Sequence, residues 1–207
     1  NLRWFTPEVE VDLCGHATLA TAFVQMTAIE PRRTETRFHS RSGPLAVTRE
    51  GEAYTLDFPS RPPVAAEMPA GLVAALGGTP REVLLSRDWL VVYDSAEEVR
   101  ALRPDFNLLT RVEGAFAVIV TGPGDAPGVD FVSRFFAPAQ GIPEDPVTGS
   151  AHCTLTPYWA ERLGRTHLEA RQISRRGGEL RCTLRGDRVG LTGHAVLVKT
   201  GELLLEG

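Results

Sequence analysis

The sequence has few cysteines, and none of them is in a paired arrangement. Its 207 residues include only Cys14, Cys153 and Cys182, an odd number without a Cys-x-x-Cys pair. Such a pattern favours free thiols in a reducing compartment, so we expect a cytoplasmic protein. The sequence also lacks an apolar run long enough to span a bilayer, so we expect no membrane partner.

Signatures of several common ligand classes are missing as well. The sequence contains neither G-x-G-x-x-G nor G-x-x-x-x-G-K-[ST], so nucleotide phosphates are not indicated. It lacks G-x-S-x-G, the usual hydrolase elbow, and its His and Cys spacings match no zinc pattern. The formal net charge of −4 argues against nucleic acid as a partner. We therefore expect neither a metal nor a bound nucleotide.

The composition itself is that of an ordinary globular protein. The chain is 43% hydrophobic and 23% charged, and its length suits one domain or two small ones. It begins at Asn1, without Met, directly inside an apparent strand over residues 2–5. We therefore expect that the sequence starts within a domain.

The stretch from Asp145 to His152 combines an acid with the start of a helix. It reads D-P-V-T-G-S-A-H and lies between a strand-like run, residues 129–136, and a helix-like run, residues 151–163. A Gly149-Ser150 step at a helix start leaves backbone N–H groups without partners inside the helix, and the helix dipole adds positive potential there. The stretch therefore predicts an anion site with a carboxyl group, Asp145, beside it.

A similar stretch occurs near the N-terminus. F-T-P at residues 5–7 and D-L-C-G-H-A at residues 12–17 precede an apolar run, as F-A-P at 136–138, Asp145 and T-G-S-A at 148–151 precede another. Such a repeat suggests two similar halves. If the halves face each other, two helix N-termini point into one cleft.

Hydrophobic periodicity predicts more strands than helices. Helices are predicted at residues 17–29, 71–76, 96–102 and 151–163, and the first should be buried because apolar residues occur almost all round it. Strands are predicted at residues 2–5, 37–40, 45–47, 54–58, 83–85, 89–93, 115–120 and 129–136, followed by a strand meander over 180–205. Runs of consecutive strands predict an α+β fold. Pro59, Pro62 and Pro63 predict a boundary between a domain of residues 1–59 and a domain of residues 60–207.

Three side chains near the two glycine steps can carry chemistry. His16 can act as a general acid or base near neutral pH, although a core or capping histidine is an alternative. Asp145 can carry a proton if a dry cleft raises its pKa, although an N-cap or turn residue is an alternative. Cys14 could act as a nucleophile or base, but a small buried filler is favoured.

Four stretches together resemble the phenazine-biosynthesis PhzF-like family. They are R-W-F-T-P at residues 3–7, D-L-C-G-H-A-T at 12–18, S-G-x-L at 42–45 and E-D-P-V-T-G-S-A-H at 144–152. The resemblance covers nearly the whole chain and implies the diaminopimelate epimerase fold. That fold has two similar barrel-like domains, each a mostly antiparallel sheet around a central helix, with the active site between them. The last strand is expected to return to the first domain.

The resemblance also implies an isomerase or epimerase that moves a proton on a small carboxylate-bearing substrate without a cofactor. His16 and Asp145 would be catalytic, and the amides at the two glycine steps would hold the substrate carboxylate. The implied substrate-binding residues are Cys14, Gly15, Thr148, Gly149 and Ser150. We further expect a homodimer.

Two departures from the related proteins leave alternatives open. The related epimerases use two facing cysteines, but here Thr148 faces Cys14, so racemisation by two thiols is disfavoured. The family's acid–base glutamate lies upstream of R-W-F-T-P and is not in this sequence. We therefore expect this chain alone to be weak or inactive, with apolar helix surface around Phe23 and Met26 left for a partner to cover. The alternatives are a non-catalytic small-acid-binding protein and a thiol enzyme of Cys14 and His16.

Overall fold

The computed structural model describes residues 1–5, 9–114 and 116–202. Three sequence predictions extend beyond these ranges: the end of the first strand at Pro7, the start of a strand at Ala115, and the end of the tail at Leu205. The structure bears on the remaining parts of those elements only.

Strands dominate the described residues, as the periodicity predicted. They are β1 (Trp4–Phe5), β2 (Glu10–Val11), β3 (Glu35–Ser40), β4 (Gly43–Glu50), β5 (Ala53–Pro59), β6 (Val64–Ala65), β7 (Glu82–Leu85), β8 (Trp89–Val92), β9 (Val118–Pro123), β10 (Phe131–Phe136), β11 (His167–Gln172), β12 (Gly178–Arg185) and β13 (Arg188–His194). The helices are α1 (Gly15–Val24), α2 (Leu72–Leu76), α3 (Ala96–Ala101), α4 (Phe106–Leu109) and α5 (Gly149–Leu163). A π-helical turn, Gln25–Ile29, continues α1, and a 3₁₀ turn, Pro138–Gln140, follows β10.

The described strands form one large sheet and one small one. β1 and β2 pair as a separate antiparallel ribbon, while the 11-stranded sheet has the order β3-β4-β5-β13-β12-β11-β10-β9-β8-β7-β6. All neighbours in it are antiparallel except β8 with β9 and β10 with β11. The predicted α+β fold of mostly antiparallel sheet is therefore confirmed.

The last described strand lies beside an early one. Residues 188–194 of β13 pair with residues 53–59 of β5, so the sheet runs without a break across the proposed boundary at residue 59. The division into domains of residues 1–59 and 60–207 stays a prediction.

The start and burial of α1 differ from the prediction. The helix begins at Gly15 rather than Ala17, because the apolar run shows where the helix packs and not where it begins. Its buried positions, Gly15, Thr18, Ala22 and Met26, recur every three or four residues and form one stripe. The prediction of a helix buried all round was therefore wrong.

The exposed part of this helix also lies elsewhere than predicted. Met26 is fully buried, whereas Val24 is 41% exposed and Ile29 69% exposed. Apolar composition does not specify which stripe faces the sheet, and Phe23 packs on Tyr54 of β5 with ring centroids 5.6 Å apart. The predicted apolar surface around Phe23 and Met26 is therefore corrected to Val24 and Ile29.

The long helix α5 is the centre of the larger hydrophobic core. It begins at Gly149 rather than Ala151, and every residue from Gly149 to Ala160 is buried. Trp159 stacks on Phe131 of β10 with ring planes 5° apart, and its indole N–H donates to Thr121 Oγ1. These contacts fix α5 against the sheet and so position its N-terminus. In the described part of the chain, no helix is long and apolar enough to cross a membrane.

Among the described helices and strands, α4, β2, β6 and β11 had no counterpart in the prediction. The short helix α4 is capped by Asp105, whose side chain accepts from the N–H groups of Asn107 and Leu108. Strand β11 lies between β10 and β12 and brings Gln172 into the interior. The predicted meander holds for β12 and β13 but has no strand over residues 195–202.

Candidate active site

Two helix N-termini meet where the two glycine steps come together. A Cβ atom built on Gly15 would lie 3.0 Å from Gly149 Cα, and one built on Gly149 would lie 3.1 Å from Gly15 Cα. Only glycine allows two backbones to approach this closely without displacement. The tertiary structure thus brings the starts of α1 and α5 into direct contact.

Both helix starts leave their first amides without side-chain caps. The N-cap residues Cys14 and Thr148 are extended, with φ of −138° and −116°. Within the described residues, neither N-cap side chain accepts a hydrogen bond from the helix that it precedes. The first N–H groups of two helices and the positive ends of their dipoles therefore lie close together at one place, which favours an anion there.

This point lies in a cleft of about 520 Å³. All of the predicted site residues line it: Cys14, Gly15, His16, Asp145, Thr148, Gly149 and Ser150. Apolar and aromatic side chains form much of the remaining wall: Leu2, Trp4, Phe5, Val11, Leu13, Phe116, Phe135 and Ile142. Small-molecule sites commonly combine such an apolar wall with a few convergent polar groups. The structure brings the predicted residues together, while their individual roles stay predictions.

Asp145 is held on both its backbone and its side chain. Its N–H donates to Phe135 O at 3.0 Å, and its own carbonyl accepts from Gln172 Nε2 at 2.7 Å. The Thr148 hydroxyl donates to its carboxylate oxygen Oδ2. Burial raises the pKa of Asp145 above its ordinary value, although the Thr148 hydrogen bond and the charges of His16 and Arg176 act in the opposite direction. The carboxyl group is therefore fixed in place and better able to hold a proton than an exposed aspartate.

His16 lies at the mouth of the same cleft, on the first turn of α1. Its Nε2 is 3.6 Å from Cys14 Sγ, and this hydrogen bond is the main cause that raises the pKa of the imidazole. The negative charge of Asp145 acts in the same direction. The negative charge of Asp145 thus favours the charged form of His16 in this cleft.

Sequence reasoning missed Gln172, which organises the loop before α5. This fully buried residue accepts from Thr148 N–H through Oε1 at 2.8 Å and donates through Nε2 to Thr148 Oγ1 at 3.2 Å. The nearby Ser174 hydroxyl donates to Pro146 O at 2.7 Å. No local signal pointed to Gln172, because a glutamine in a strand of alternating residues is usually on a solvated face.

The role of His152 was also missed, although the residue ends the motif that carries the family resemblance. It is fully buried on α5, and its Nδ1 lies 2.8 Å from Thr148 O. Burial lowers its pKa to about 4, so the ring is neutral at physiological pH. Since a carbonyl only accepts, Nδ1 carries the proton and donates it, which supports the same loop.

Arg87 lines the cleft and forms an ion pair with Asp12 of the loop before α1. Arg87 Nη2 lies 2.8 Å from Asp12 Oδ1, and the Arg87 guanidinium lies 4.1 Å from the centroid of the Phe116 ring. Arg61 approaches the other Asp12 oxygen at 3.5 Å, and the Ser42 hydroxyl donates to Asp12 O at 2.9 Å. The loop before α1 is thereby tied to residues from three other parts of the sheet. Across residues 1–5, 9–114 and 116–202, no three His, Cys, Asp or Glu side chains form a potential metal site.

Gly178 lies in close contact with Val147, in the loop before α5. A Cβ on Gly178 would lie 2.2 Å from Val147 Cγ2, so Gly178→Ala is expected to lower the free energy of unfolding by about 1–3 kcal/mol through overpacking. Adding Val147→Ala should remove the clash, so that the double variant loses less stability than the sum of the two single variants. Urea unfolding measures the free energy of unfolding of the two single variants and the double variant.

The matched control is Gly190→Ala in the neighbouring strand β13. A Cβ there would meet its nearest atoms at an ordinary 3.5 Å, so this variant should stay close to the parent. Strict additivity of Gly178→Ala and Val147→Ala would show that the close contact does not constrain the loop.

A family model described as phenazine biosynthesis-like protein matches residues 1–201. An uncharacterized isomerase from Pseudomonas aeruginosa is 54% identical over 206 residues, which cover 99% of this chain and 78% of that protein. The match includes the two stretches that carry the glycine steps, because it extends over almost the whole chain.

Solved structures agree with this relation. The crystal structure of a phenazine biosynthesis PhzF family protein from Enterococcus faecalis has a TM-score of 0.91 and 48% identity, over 98% of this chain and 77% of that chain. A probable proline racemase from Agrobacterium radiobacter has a TM-score of 0.61 at 14% identity, over 97% of this chain and 70% of that chain, and shares the fold alone. With a full-length family match and relatives at this level of identity, the chain belongs to the phenazine biosynthesis-like (PhzC/PhzF) family.

Proposed function

We propose that the protein is an isomerase that moves a proton on a small carboxylate-bearing substrate without a cofactor. The observation that carries the proposal is the contact of two uncapped helix N-termini, with Asp145 and His16 beside it in one cleft. The isomerase names of the relatives support the reaction class.

The substrate carboxylate is expected at the Gly15-His16 and Gly149-Ser150 amides. Fixed N–H donors and two helix dipoles stabilise an anion there without a metal. The apolar wall then holds the carbon skeleton and excludes water. This placement positions a C–H bond near the carboxylate within reach of Asp145.

Proton transfer then needs one acid–base group. Asp145 as carboxylate accepts the proton of a C–H bond whose electrons become delocalised towards the substrate carboxylate, and the resulting acid returns the proton to the same or another carbon. Fixed amide donors stabilise the negative charge that develops on the substrate oxygens. His16 as imidazolium adds positive charge at the cleft mouth. The reaction balances without an oxidant or a second substrate.

The experiment is solvent exchange followed by NMR. The chain is incubated in D₂O with small unsaturated and α-substituted carboxylic acids, and deuterium incorporation or a double-bond shift is measured alongside binding by calorimetry. Weak exchange into one of these acids is the expected result. Binding without exchange would instead identify a non-catalytic small-acid-binding protein.

Asp125→Asn is a suitable control for carboxyl substitutions in this assay. Asp125 is an acid far from the cleft lining, paired with Arg100 on the surface at 2.9 Å. Such an exposed pair contributes little to stability. The variant should exchange like the parent chain.

Cys14→Ala is expected to retain most of the activity, because Thr148 occupies the facing position and no thiol pair lines the described cleft. Loss of the Cys14 hydrogen bond should lower the pKa of His16, since that bond raises it. The imidazolium form is then lost at a lower pH, so the basic limb of the pH–rate profile should move down. Rates measured across pH for the parent chain, Cys14→Ala and Cys14→Ser test this.

Cys14→Ser serves as the matched variant because it keeps a hydrogen-bonding group beside His16. A loss of about a thousandfold in turnover by a folded Cys14→Ala variant would contradict the proposal and point to a thiol nucleophile or base.

A further inference from the structure

Thr148 forms hydrogen bonds through both its backbone and its side chain. Its N–H donates to Gln172 Oε1 at 2.8 Å, and its carbonyl accepts from His152 Nδ1 at 2.8 Å. Its hydroxyl oxygen lies 3.2 Å from Gln172 Nε2 and is also bonded to Asp145 Oδ2. Thr148 and Gln172 are 6% and 0% exposed, so water has little access to these bonds.

The chemistry of the donors fixes the direction of this chain of hydrogen bonds. An amide nitrogen only donates, so the Thr148 hydroxyl oxygen accepts from Gln172 Nε2. The single hydroxyl proton is then directed to Asp145 Oδ2. Gln172 cannot reverse this order, because its Oε1 is already used by Thr148 N–H. The bonds run from Gln172 through Thr148 to Asp145.

We propose that Gln172 is a positioning residue for Asp145: it orients the Thr148 hydroxyl towards Oδ2 and thereby leaves Oδ1 as the oxygen that gains and loses a proton. Oδ2 already accepts a hydrogen bond from the Thr148 hydroxyl, so a proton on that oxygen would face the hydroxyl proton. The protonated form of Asp145 therefore carries its hydrogen on Oδ1. We call the hydrogen bonds from Gln172 through Thr148 to Asp145 the relay. Proton exchange between Oδ1 and a substrate rests on the proposed function, whereas the relay does not.

The relay acts on Asp145 together with the charges around it. His16 on α1 and Arg176 in the loop before β12 are the charged groups that lower the pKa of Asp145, and burial raises it. The Thr148 hydrogen bond also lowers this pKa, because it stabilises the carboxylate. Loss of the oriented hydroxyl should therefore move the titration of Asp145 to higher pH.

The test is a double-variant cycle read by ¹³C NMR titration of the Asp145 carboxyl group, assigned by the signal that Asp145→Asn removes. Thr148→Val should raise the pKa of Asp145, and Thr148→Ser should restore it by returning the hydroxyl. Gln172→Met should raise the pKa of Asp145 when Thr148 is present. It should have no further effect on that pKa when Thr148 is already replaced by valine. This non-additivity distinguishes a relay from a purely structural role.

Two results would overturn the proposal. One is an unchanged Asp145 titration in Thr148→Val, and the other is an equal effect of Gln172→Met in both backgrounds. If Gln172→Met does not fold, Gln172→Glu replaces it in the same cycle, because it keeps the acceptor for Thr148 N–H and any effect of its charge appears in both backgrounds and cancels. Since the readout needs no turnover, failure of the relay and failure of the proposed function are seen separately.

Discussion

Asp145→Asn is expected to lower turnover by about 10²–10⁴-fold, the usual contribution of a positioned acid–base group. The amide has the size of the carboxyl group and still has an oxygen that can accept from Thr148, but it cannot take up a proton. Substrate binding should change little, because in the proposed mechanism the helix amides rather than Asp145 hold the substrate carboxylate. Rates and dissociation constants measured on the same variant separate the two effects.

The pH profile gives an independent check of this role. Because burial raises the pKa of Asp145, activity that needs the carboxylate is present above that raised pKa and is lost as pH falls through it. Asp145→Asn should leave residual activity without this acid limb. A variant that binds weakly but turns over normally would remove Asp145 from the chemistry.

The raised pKa of Asp145 also affects the stability of the folded chain. An aspartate whose folded-state pKa lies above its unfolded value destabilises the folded chain at every pH above the unfolded value. Asp145→Asn removes that cost, so its melting temperature at neutral pH should equal or exceed that of the parent. A clear loss of stability would indicate that the carboxylate supports the loop beyond what the amide can replace.

Gly149→Ala is expected to weaken binding of a carboxylate ligand by about 10–100-fold, because even small misplacements of positioning groups are costly. The new Cβ would lie 3.1 Å from Gly15 Cα, so the start of α5 or α1 must move by a few tenths of an ångström. The converging amides then no longer point to one position. Calorimetric titration with the best ligand from the exchange screen measures the loss.

Stability should fall in the same variant by about 1–3 kcal/mol from overpacking, partly offset by the better helix propensity of alanine. Gly15→Ala provides the reciprocal test, since its Cβ would lie 3.0 Å from Gly149 Cα. Once either substitution has separated the helices, the second should add little. Normal ligand affinity in both single variants would show that the amides do not form the anion site.

The sequence alone determined the features that depend on neighbouring residues. The hairpin of β4 and β5 was predictable because alternating residues flank a turn at Gly51, whose φ of 63° suits glycine. The two helices beside the glycine steps were predictable from their apolar runs, although each begins two residues earlier than those runs. Their likeness to each other also pointed to a shared site, and the predicted site residues line one cleft.

The tertiary structure decided what depends on residues far apart in the chain. Periodicity marked α1 as apolar but could not show that Met26 faces the sheet while Val24 faces outward. Gln172 has no local signature, because its importance arises only when β11 lies beside β10 and carries it beneath Thr148. The contact of Gly15 with Gly149 likewise needs both helices packed on one sheet. Local propensity specifies which elements form, and only long-range packing specifies which of their faces meet.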